Sequence, residues 1–300
     1  MLQPVDLPFD PTALPGLSEK LLRSHHQNNY AGAVKRLNAI RAELRKGPPA
    51  SIVGFELNGL KREELIATNS MLLHELYFDS LGTDRKAMAP AMELALAASF
   101  GSVERWREEF VGMGKALGGG SGWTILMFQP REGTLVNQWA ADHTHALAGA
   151  IPVLALDMYE HAYHMDFGAA AGAYVDAFMA HIDWSRLYAR YQRAVEQCSE
   201  ELSASHDDVA KAQLVDVRRA GAFAQTDALI EGADWRDSAQ VDAWASQLPP
   251  DKEVIVYCVY GHEVGRATAM RLRSAGINAR FLRGGFDGWK AAGGPLSPKR

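Results

Sequence analysis

Residues 151–168 read IPVLALDMYEHAYHMDFG, an apolar run followed by a dense group of acidic and imidazole side chains. The run IPVLALD has the length and composition of a strand. Asp157 and His161 are four residues apart, so a helix that begins near Asp157 would place both side chains on one face. A carboxylate and an imidazole suit a first-row transition metal, but one pair is an incomplete site. An ordinary solvated helix start is the alternative interpretation.

Two helical segments offer further histidines. The segment 17–46 contains His25 and His26, which point about 100° apart on a helix, so at most one of them can face a given site. His74 lies in the apolar frame MLLHELYF, where a single histidine is more often a hydrogen-bonded core residue than a ligand. The residues alone therefore support a possible metal site and no more.

The order of the segments predicts an α+β domain over residues 1–195. Three helical runs, about 17–46, 60–81 and 88–116, precede WTILMFQPREGTLVNQWAAD, which predicts a β-hairpin with a Pro-Arg-Glu-Gly turn. IPVLALD is the third strand, and residues 158–196 return to a helical pattern. Helices first and a small sheet afterwards favour this fold class.

A second domain is predicted over residues 209–300, after a polar linker at 196–208 without apolar periodicity. Beyond the linker, strand-like and helix-like segments alternate: QLVDVR, VIVYC, GRATAMRLRSAG and ARFLRGG. This alternation is typical of an α/β domain with a parallel sheet.

Composition limits the classes of partner and the compartment. The chain has 300 residues, which favours two domains, and a net charge of −5, which gives no support for binding nucleic acid or an anionic membrane. No apolar run has the length of a membrane span, and the N-terminal segment does not have the pattern of a secretory signal. Because only two cysteines occur, we expect a cytoplasmic protein.

The segment DMYEHAYH (157–164) resembles the D-x-W-E-H signature of the iron/manganese superoxide dismutases. The order of a helical hairpin, ASFGS (98–102), GSGW (120–123), sheet and signature also follows that family. The resemblance implies an α-helical hairpin followed by an α+β half, antioxidant activity on superoxide, and one iron or manganese ion per chain. The ligands carried over are His25, His74, Asp157 and His161. His25 is preferred to His26 because that alignment runs without a gap through VKRLN (34–38).

Several positions around these ligands differ from the family pattern. Tyr159 stands where the signature has Trp, and Ala33 where the family has a gateway Tyr. Tyr30 and His164 are the candidates for rebuilding a hydrogen-bonded gate.

A histidine that contacts metal-bound solvent in part of the family has two candidate positions here. Asp142-His143 resembles the Asp-His pair of those members, and His145 competes with His143 because the spacing needs a one-residue gap. In the family, the Glu of the Glu-His pair hydrogen-bonds the metal-binding His of the other subunit. Glu160 and His161 match that pair, which implies a homodimer.

Cys258 follows a predicted buried strand and precedes a glycine-containing loop and a helix. We expect the loop amides and the helix dipole to lower the pKa of its thiol, although a buried structural cysteine is the commoner case. The segments LVDVR, IEGADW, the Cys258 loop and FLRGGFDGWKAAGGPL resemble the rhodanese family over residues 209–298. That family carries sulfur as a persulfide on this cysteine, with a donor such as thiosulfate. Val259 and Val264 stand where many members have arginines, while Asp216 and Arg218 are expected to form a structural ion pair.

The favoured interpretation is a superoxide dismutase fused to a sulfur-carrying module. The alternatives are a sulfurtransferase, or a redox-responsive binding module in which Cys258 reports to a partner. In both alternatives the N-terminal domain is mainly a dimerisation platform.

Overall fold

The computed structural model describes residues 1–47, 51–83, 87–249 and 251–299. Residues 48–50, 84–86, 250 and 300 lie outside this description, and residue 300 is the last of the predicted second domain. None of the helices in the described ranges is long and apolar enough to cross a membrane.

The first half is a helical hairpin. Its first arm consists of α1 (Glu19–Ser24), a π-helical turn (His25–Tyr30) and α2 (Ala31–Leu44), and its second arm is α3 (Gly54–Ser80). The Ser18 hydroxyl accepts a hydrogen bond from the Leu21 amide at 3.0 Å and caps α1. Helicity over 17–46 is confirmed in outline, but the wider π turn was not predicted.

The third helical run is two helices, α4 (Pro90–Phe100) and α5 (Val103–Ala116), so the prediction of one continuous helix was wrong. Gly101 has φ +91°, a conformation that ends α4 and that residues with a side chain rarely adopt. Ser102 then caps α5 by accepting a hydrogen bond from the Arg105 amide at 3.0 Å.

An antiparallel sheet follows, with strands β1 (Trp123–Gln129), β2 (Thr134–Ala140) and β3 (Ile151–Asp157) in the order β2-β1-β3. The predicted hairpin and third strand are confirmed. Asp157 pairs with Trp123 as the last residue of β3, so the prediction of a helix start near Asp157 was wrong. His161 instead lies in a 3₁₀ turn, Glu160–Ala162. The helices α6 (His164–Phe167), α7 (Ala171–Ala180) and α8 (Trp184–Ser199) complete this part.

The C-terminal part is an α/β unit, as predicted. Its strands are β4 (Ser203–Ala204), β5 (Gln213–Asp216), β6 (Ala228–Ile230), β7 (Asp234–Trp235), β8 (Val254–Tyr257), β9 (Ala279–Leu282) and β10 (Leu296–Pro298). Five of them form a parallel sheet in the order β4-β9-β8-β5-β7, and β6 and β10 form a separate antiparallel pair. The helices are α9 (Ala220–Ala224), α10 (Val241–Trp244), α11 (Glu263–Ser274) and α12 (Gly285–Ala291).

The segment 196–208 has regular structure of its own. Helix α8 extends to Ser199, and strand β4 pairs with β9 at the edge of the parallel sheet. So short a strand cannot show an alternation of apolar and polar residues, which explains why the sequence indicates a linker there. The division of the chain into two domains at this segment stays a prediction.

The two parts pack against each other through α11. This helix lies on α8, and its Met270 is buried with the core of the first part. Gly133, in the hairpin turn, has φ +65°, and a Cβ atom there would lie 2.5 Å from the Ala267 carbonyl oxygen. Only glycine fits this close approach between the two parts.

Candidate metal centre and cysteine site

Four side chains from separate elements converge at the centre of the first part. His25 comes from the π turn, His74 from α3, Asp157 from the end of β3 and His161 from the 3₁₀ turn. One ligand atom from each lies within 4.8 Å of the others. The Asp157 Oδ2 atom lies 3.0 Å from His25 Nε2, 3.2 Å from His161 Nε2 and 3.4 Å from His74 Nε2.

Hydrogen bonds from outside the cluster orient two of these side chains. His74 Nδ1 donates to the Ser70 carbonyl oxygen at 2.6 Å, which leaves the Nε2 lone pair free for a ligand. The Tyr159 amide donates to Asp157 Oδ1 at 2.9 Å, and the Tyr174 hydroxyl donates to the Asp157 carbonyl oxygen at 2.8 Å. Oδ2 of Asp157 is thereby left facing the three histidines.

Burial controls the charge of the cluster. It lowers the pKa of His25, and it lowers the pKa of His74 to about 3, so both imidazoles are neutral at neutral pH. Burial also opposes ionisation of Asp157, but hydrogen bonds from His161 and His25 outweigh this and hold the pKa of that carboxyl well below its usual value. Neutral imidazoles and an ionised carboxylate are the forms that bind metal.

This set of donors fits one first-row transition ion such as iron or manganese. Three imidazole nitrogens and one carboxylate oxygen form a mixed nitrogen and oxygen shell, in which imidazole suits iron and carboxylate suits manganese. In the described ranges, no other His, Cys, Asp or Glu side chain belongs to the cluster. The residues present therefore agree with the ligand set that the resemblance implies.

The π turn separates the two neighbouring histidines. His25 is buried in the cluster, whereas His26 Nε2 lies 2.8 Å from the Val5 carbonyl oxygen. The two side chains thus face different partners.

His143 and His145 also have different environments. Trp123 Nε1 donates to His143 Nδ1 at 2.9 Å, so the proton of the neutral ring is on Nε2, and the ring centroid lies 6.2 Å from that of His74. Burial lowers the pKa of His143. His145 is exposed, and its Nδ1 accepts a hydrogen bond from the Ala141 amide at 3.2 Å. Of the two, His143 is beside the cluster.

Neither of the two candidates for the gate belongs to the cluster of four ligands. The buried Tyr30 hydroxyl donates to Glu75 Oε1 at 2.9 Å and accepts from the Val5 amide at 2.8 Å. Burial, with a contribution from Glu75, raises the pKa of Tyr30 to about 12. The Phe78 ring is a neighbour of both Tyr30 and His25, with centroids 6.3 and 5.0 Å away. His164 is exposed at the start of α6.

Cys258 directly follows β8 and is buried at the base of a loop. A glycine turn supports this loop: the Phe286 amide donates to the Cys258 carbonyl oxygen at 2.9 Å, and the Asp287 amide donates to that of Val259 at 3.0 Å. Gly285 has φ +59°, and a Cβ atom there would lie 2.5 Å from the Cys258 carbonyl oxygen. The glycine pair of the FLRGGFDGW motif therefore fixes the position of the cysteine.

The prediction of a lowered thiol pKa was wrong. Burial raises the pKa of the Cys258 thiol, and Glu263 adds to this, although amides of the loop and of the first turn of α11 act in the opposite direction. The predicted ion pair is confirmed: Arg218 and Asp216 are both buried, with Nη2 and Oδ2 2.5 Å apart.

Residues that the sequence did not indicate complete the cysteine site. Tyr188 and Gln192 of α8 line a cavity of about 300 Å³ together with Cys258, Arg219 and Glu263. No sequence signal joins Tyr188 to a cysteine so far along the chain. For the metal cluster, the spacing of Ser70 and His74 on a helix is a signal that could have been used.

Comparisons with known proteins match two families along the chain. The family model for the C-terminal domain of iron/manganese superoxide dismutases matches residues 88–190, and the model for the rhodanese-like domain matches residues 199–292. An iron superoxide dismutase of Cupriavidus metallidurans is 64% identical over 186 residues, which are 62% of this chain and 94% of that protein. A manganese superoxide dismutase of Haloferax volcanii is 35% identical over 195 residues, 63% of this chain and 95% of that protein. An iron superoxide dismutase of Aquifex aeolicus is 30% identical over 202 residues, which are 65% of this chain and 93% of that protein.

Proposed function

The chain belongs to the iron/manganese superoxide dismutase family, and we propose on that basis that residues 1–195 convert two superoxide anions and two protons to O₂ and H₂O₂. The observation that carries this proposal is the convergence of the ligand atoms of His25, His74, Asp157 and His161 within 4.8 Å. In the proposal they hold one iron or manganese ion per chain.

The bound ion supplies the one-electron chemistry, and the side chains determine its charge and access. Because imidazoles bind metal in the neutral form, the bound shell of three histidines and ionised Asp157 would have a single negative charge, which offsets part of the charge of the ion. The buried setting of His25, His74 and Asp157 excludes bulk water from most of the shell. His161, with a side chain 26% exposed, lies on the more accessible side.

His143 is the proposed source of a proton beside the cluster. Because its Nδ1 accepts from Trp123, its Nε2–H is available to donate to solvent or to a reduced oxygen species. Tyr30 is a positioning residue in this proposal, because its buried hydroxyl is fixed by Glu75 and Val5 and its ring neighbours Phe78, which contacts His25.

For the rhodanese-like domain, we propose that Cys258 accepts sulfur from a small donor such as thiosulfate. The thiolate attacks the outer sulfur, the sulfur–sulfur bond of thiosulfate breaks, and sulfite leaves with the electron pair. The product is a persulfide on Cys258. The match to the rhodanese-like domain and the place of this buried cysteine on the glycine-supported loop support the proposal.

A homodimer through the first part belongs to the same proposal. Nε2 of His161 faces Asp157, so its Nδ1 atom points away from the cluster and would carry the ring proton when Nε2 binds the ion. Glu160 is exposed and is free to reach a second copy. A two-fold contact would place each Glu160 carboxylate on the His161 ring of the other subunit.

We also propose that the protein acts in the cytoplasm. Both cysteines, Cys198 and Cys258, are free thiols, and a reducing compartment keeps thiols in this form.

Replacement of ligands tests the dismutase proposal. His74→Ala and Asp157→Ala should each lose bound metal and dismutase activity, because three ligands leave an incomplete shell. Asp207→Ala, at an exposed carboxylate, is the control. Full activity without bound metal would contradict the proposal, and a metal-free, inactive natural chain would favour the sulfurtransferase or redox-module alternatives.

A further inference from the structure

The cavity around Cys258 has walls from both parts of the chain. Its volume is about 300 Å³, and helix α8 contributes Tyr188 and Gln192 to it. Both residues precede the matched rhodanese-like region, which begins at residue 199. The cysteine site therefore includes groups that a rhodanese-like domain alone does not contain.

Glu263 links α8 to the cysteine site by hydrogen bonds. It is the first residue of α11 and is only 7% exposed. The Tyr188 hydroxyl donates to Glu263 Oε1 at 2.8 Å, and Gln192 Nε2 donates to Glu263 Oε2 at 3.4 Å. A buried carboxylate is costly unless it is hydrogen-bonded, so these two contacts fix its position. Burial, with a contribution from Glu263, raises the pKa of Tyr188 to about 12, so the phenol remains a donor at neutral pH.

Each of the two arginines that line the cavity is already paired with a carboxylate. Arg219 Nη2 lies 3.4 Å from Glu263 Oε1 and donates to the Ala91 carbonyl oxygen at 3.0 Å. Arg218 is bound by buried Asp216. A dianion needs unpaired cationic donors to offset the loss of its hydration. In this cavity the Glu263 carboxylate already pairs with Arg219, which would otherwise supply such donors.

We propose that Glu263, held in place by Tyr188 of helix α8, makes the cysteine site select a small organic persulfide of low charge over dianionic thiosulfate as sulfur donor. Tyr188 is then a positioning residue from the dismutase part of the chain. The inference rests on the proposed sulfur transfer to Cys258 and narrows its donor class.

The transfer balances without an external oxidant. The Cys258 thiolate attacks the outer sulfur of the organic persulfide, and the sulfur–sulfur bond of the donor breaks. The electron pair leaves with the donor thiolate, which takes up the proton lost from the Cys258 thiol. The products are a persulfide on Cys258 and a free small thiol.

The test measures kcat and KM for sulfur loading of the full chain with thiosulfate and with cysteine persulfide. The variants are Glu263→Gln, Tyr188→Phe and the control Glu108→Gln, which removes an exposed charge that is not part of the cavity lining. Glu263→Gln releases Arg219 from its carboxylate partner, so the KM for thiosulfate should fall. The ratio of kcat/KM for thiosulfate to kcat/KM for cysteine persulfide should therefore rise about tenfold. Tyr188→Phe should shift the preference in the same direction by about threefold, because one hydrogen bond is lost and the charge remains.

Mass spectrometry maps the added sulfur to Cys258 or Cys198, and circular dichroism checks that each variant folds. If the ratio of kcat/KM for the two donors in Glu263→Gln stayed within about twofold of the ratio in the natural chain, the inference would be overturned while sulfur transfer remained intact. If neither donor loads Cys258 in the natural chain, the proposed transfer fails and the inference fails with it. If Glu263→Gln does not fold, Tyr188→Phe decides alone, and an unchanged preference in it overturns the inference.

Discussion

His25 Nε2 lies 3.0 Å from Asp157 Oδ2, although 132 residues separate the two in the chain. Both side chains are fully shielded from solvent. The contact joins the π turn of the helical hairpin to the end of β3, so the two halves of the first part meet at the proposed metal centre. Loss of either partner leaves the other as a buried polar group with fewer partners, which is costly.

His25→Ala should abolish metal binding and dismutase activity, whereas His26→Ala should retain both. His25 contributes Nε2 to the cluster, whereas His26 is bonded to the Val5 carbonyl oxygen. Metal content and activity of the two purified variants provide the comparison. The opposite pattern would show that His26 is the ligand.

His143→Ala should keep the metal but lower kcat for dismutation by about 10- to 100-fold, the usual cost of losing a group that supports a metal site. Its ring lies beside His74 but contributes no ligand atom to the cluster. His145→Ala is the matched control, because that side chain is exposed and contacts the Ala141 amide. Equal activity in both variants would refute the role of His143.

The natural chain should have the mass of a dimer in solution, and Glu160→Ala should favour the monomer. Glu160 is exposed next to His161, where a partner subunit can be contacted. Light scattering at micromolar concentration gives the mass directly. A natural chain that runs at the monomer mass of 32.8 kDa would contradict the two-fold contact.

The rate of sulfur loading should keep rising with pH beyond the value at which an ordinary thiol levels off, about 8.5. Burial and the nearby Glu263 raise the pKa of the Cys258 thiol, and the thiolate is the nucleophile. Below that raised pKa, the thiolate fraction increases about tenfold per pH unit. Loading by thiosulfate from pH 6 to 10 is the measurement, and a plateau reached by pH 8 would show that the pKa is not raised.

Two cysteine variants complete this measurement. Cys258→Ser should accept no sulfur, while Cys198→Ser should behave as the natural chain, because Cys198 lies on α8 and does not line the cavity. Dismutase activity should be unchanged in both variants.

Strongly patterned elements could be predicted from the sequence. The runs IPVLALD and VIVYC became strands β3 and β8, because a buried strand needs an uninterrupted apolar segment. The end of β3 was harder to predict: Asp157 is polar, and its spacing to His161 suits a helix as well as the strand end and 3₁₀ turn that the structure has. Local spacing does not distinguish these cases, because tertiary pairing with Trp123 decides between them.

The cysteine site shows a second limit. The loop and its glycine turn could be predicted as local motifs, but the sign of the pKa shift of Cys258 depends on burial and on Glu263. Tyr188 reaches Glu263 only because α11 packs on α8, and contacts between distant helices leave no periodic signal in either segment.

The most direct test of the metal centre is metal analysis and dismutase assay of the purified chain after separate reconstitution with iron and with manganese. The four converging ligands predict close to one ion per chain, with activity restored by at least one of the two metals. Less than about a tenth of an ion per chain with either metal, or full occupancy without dismutation, would contradict the proposed function.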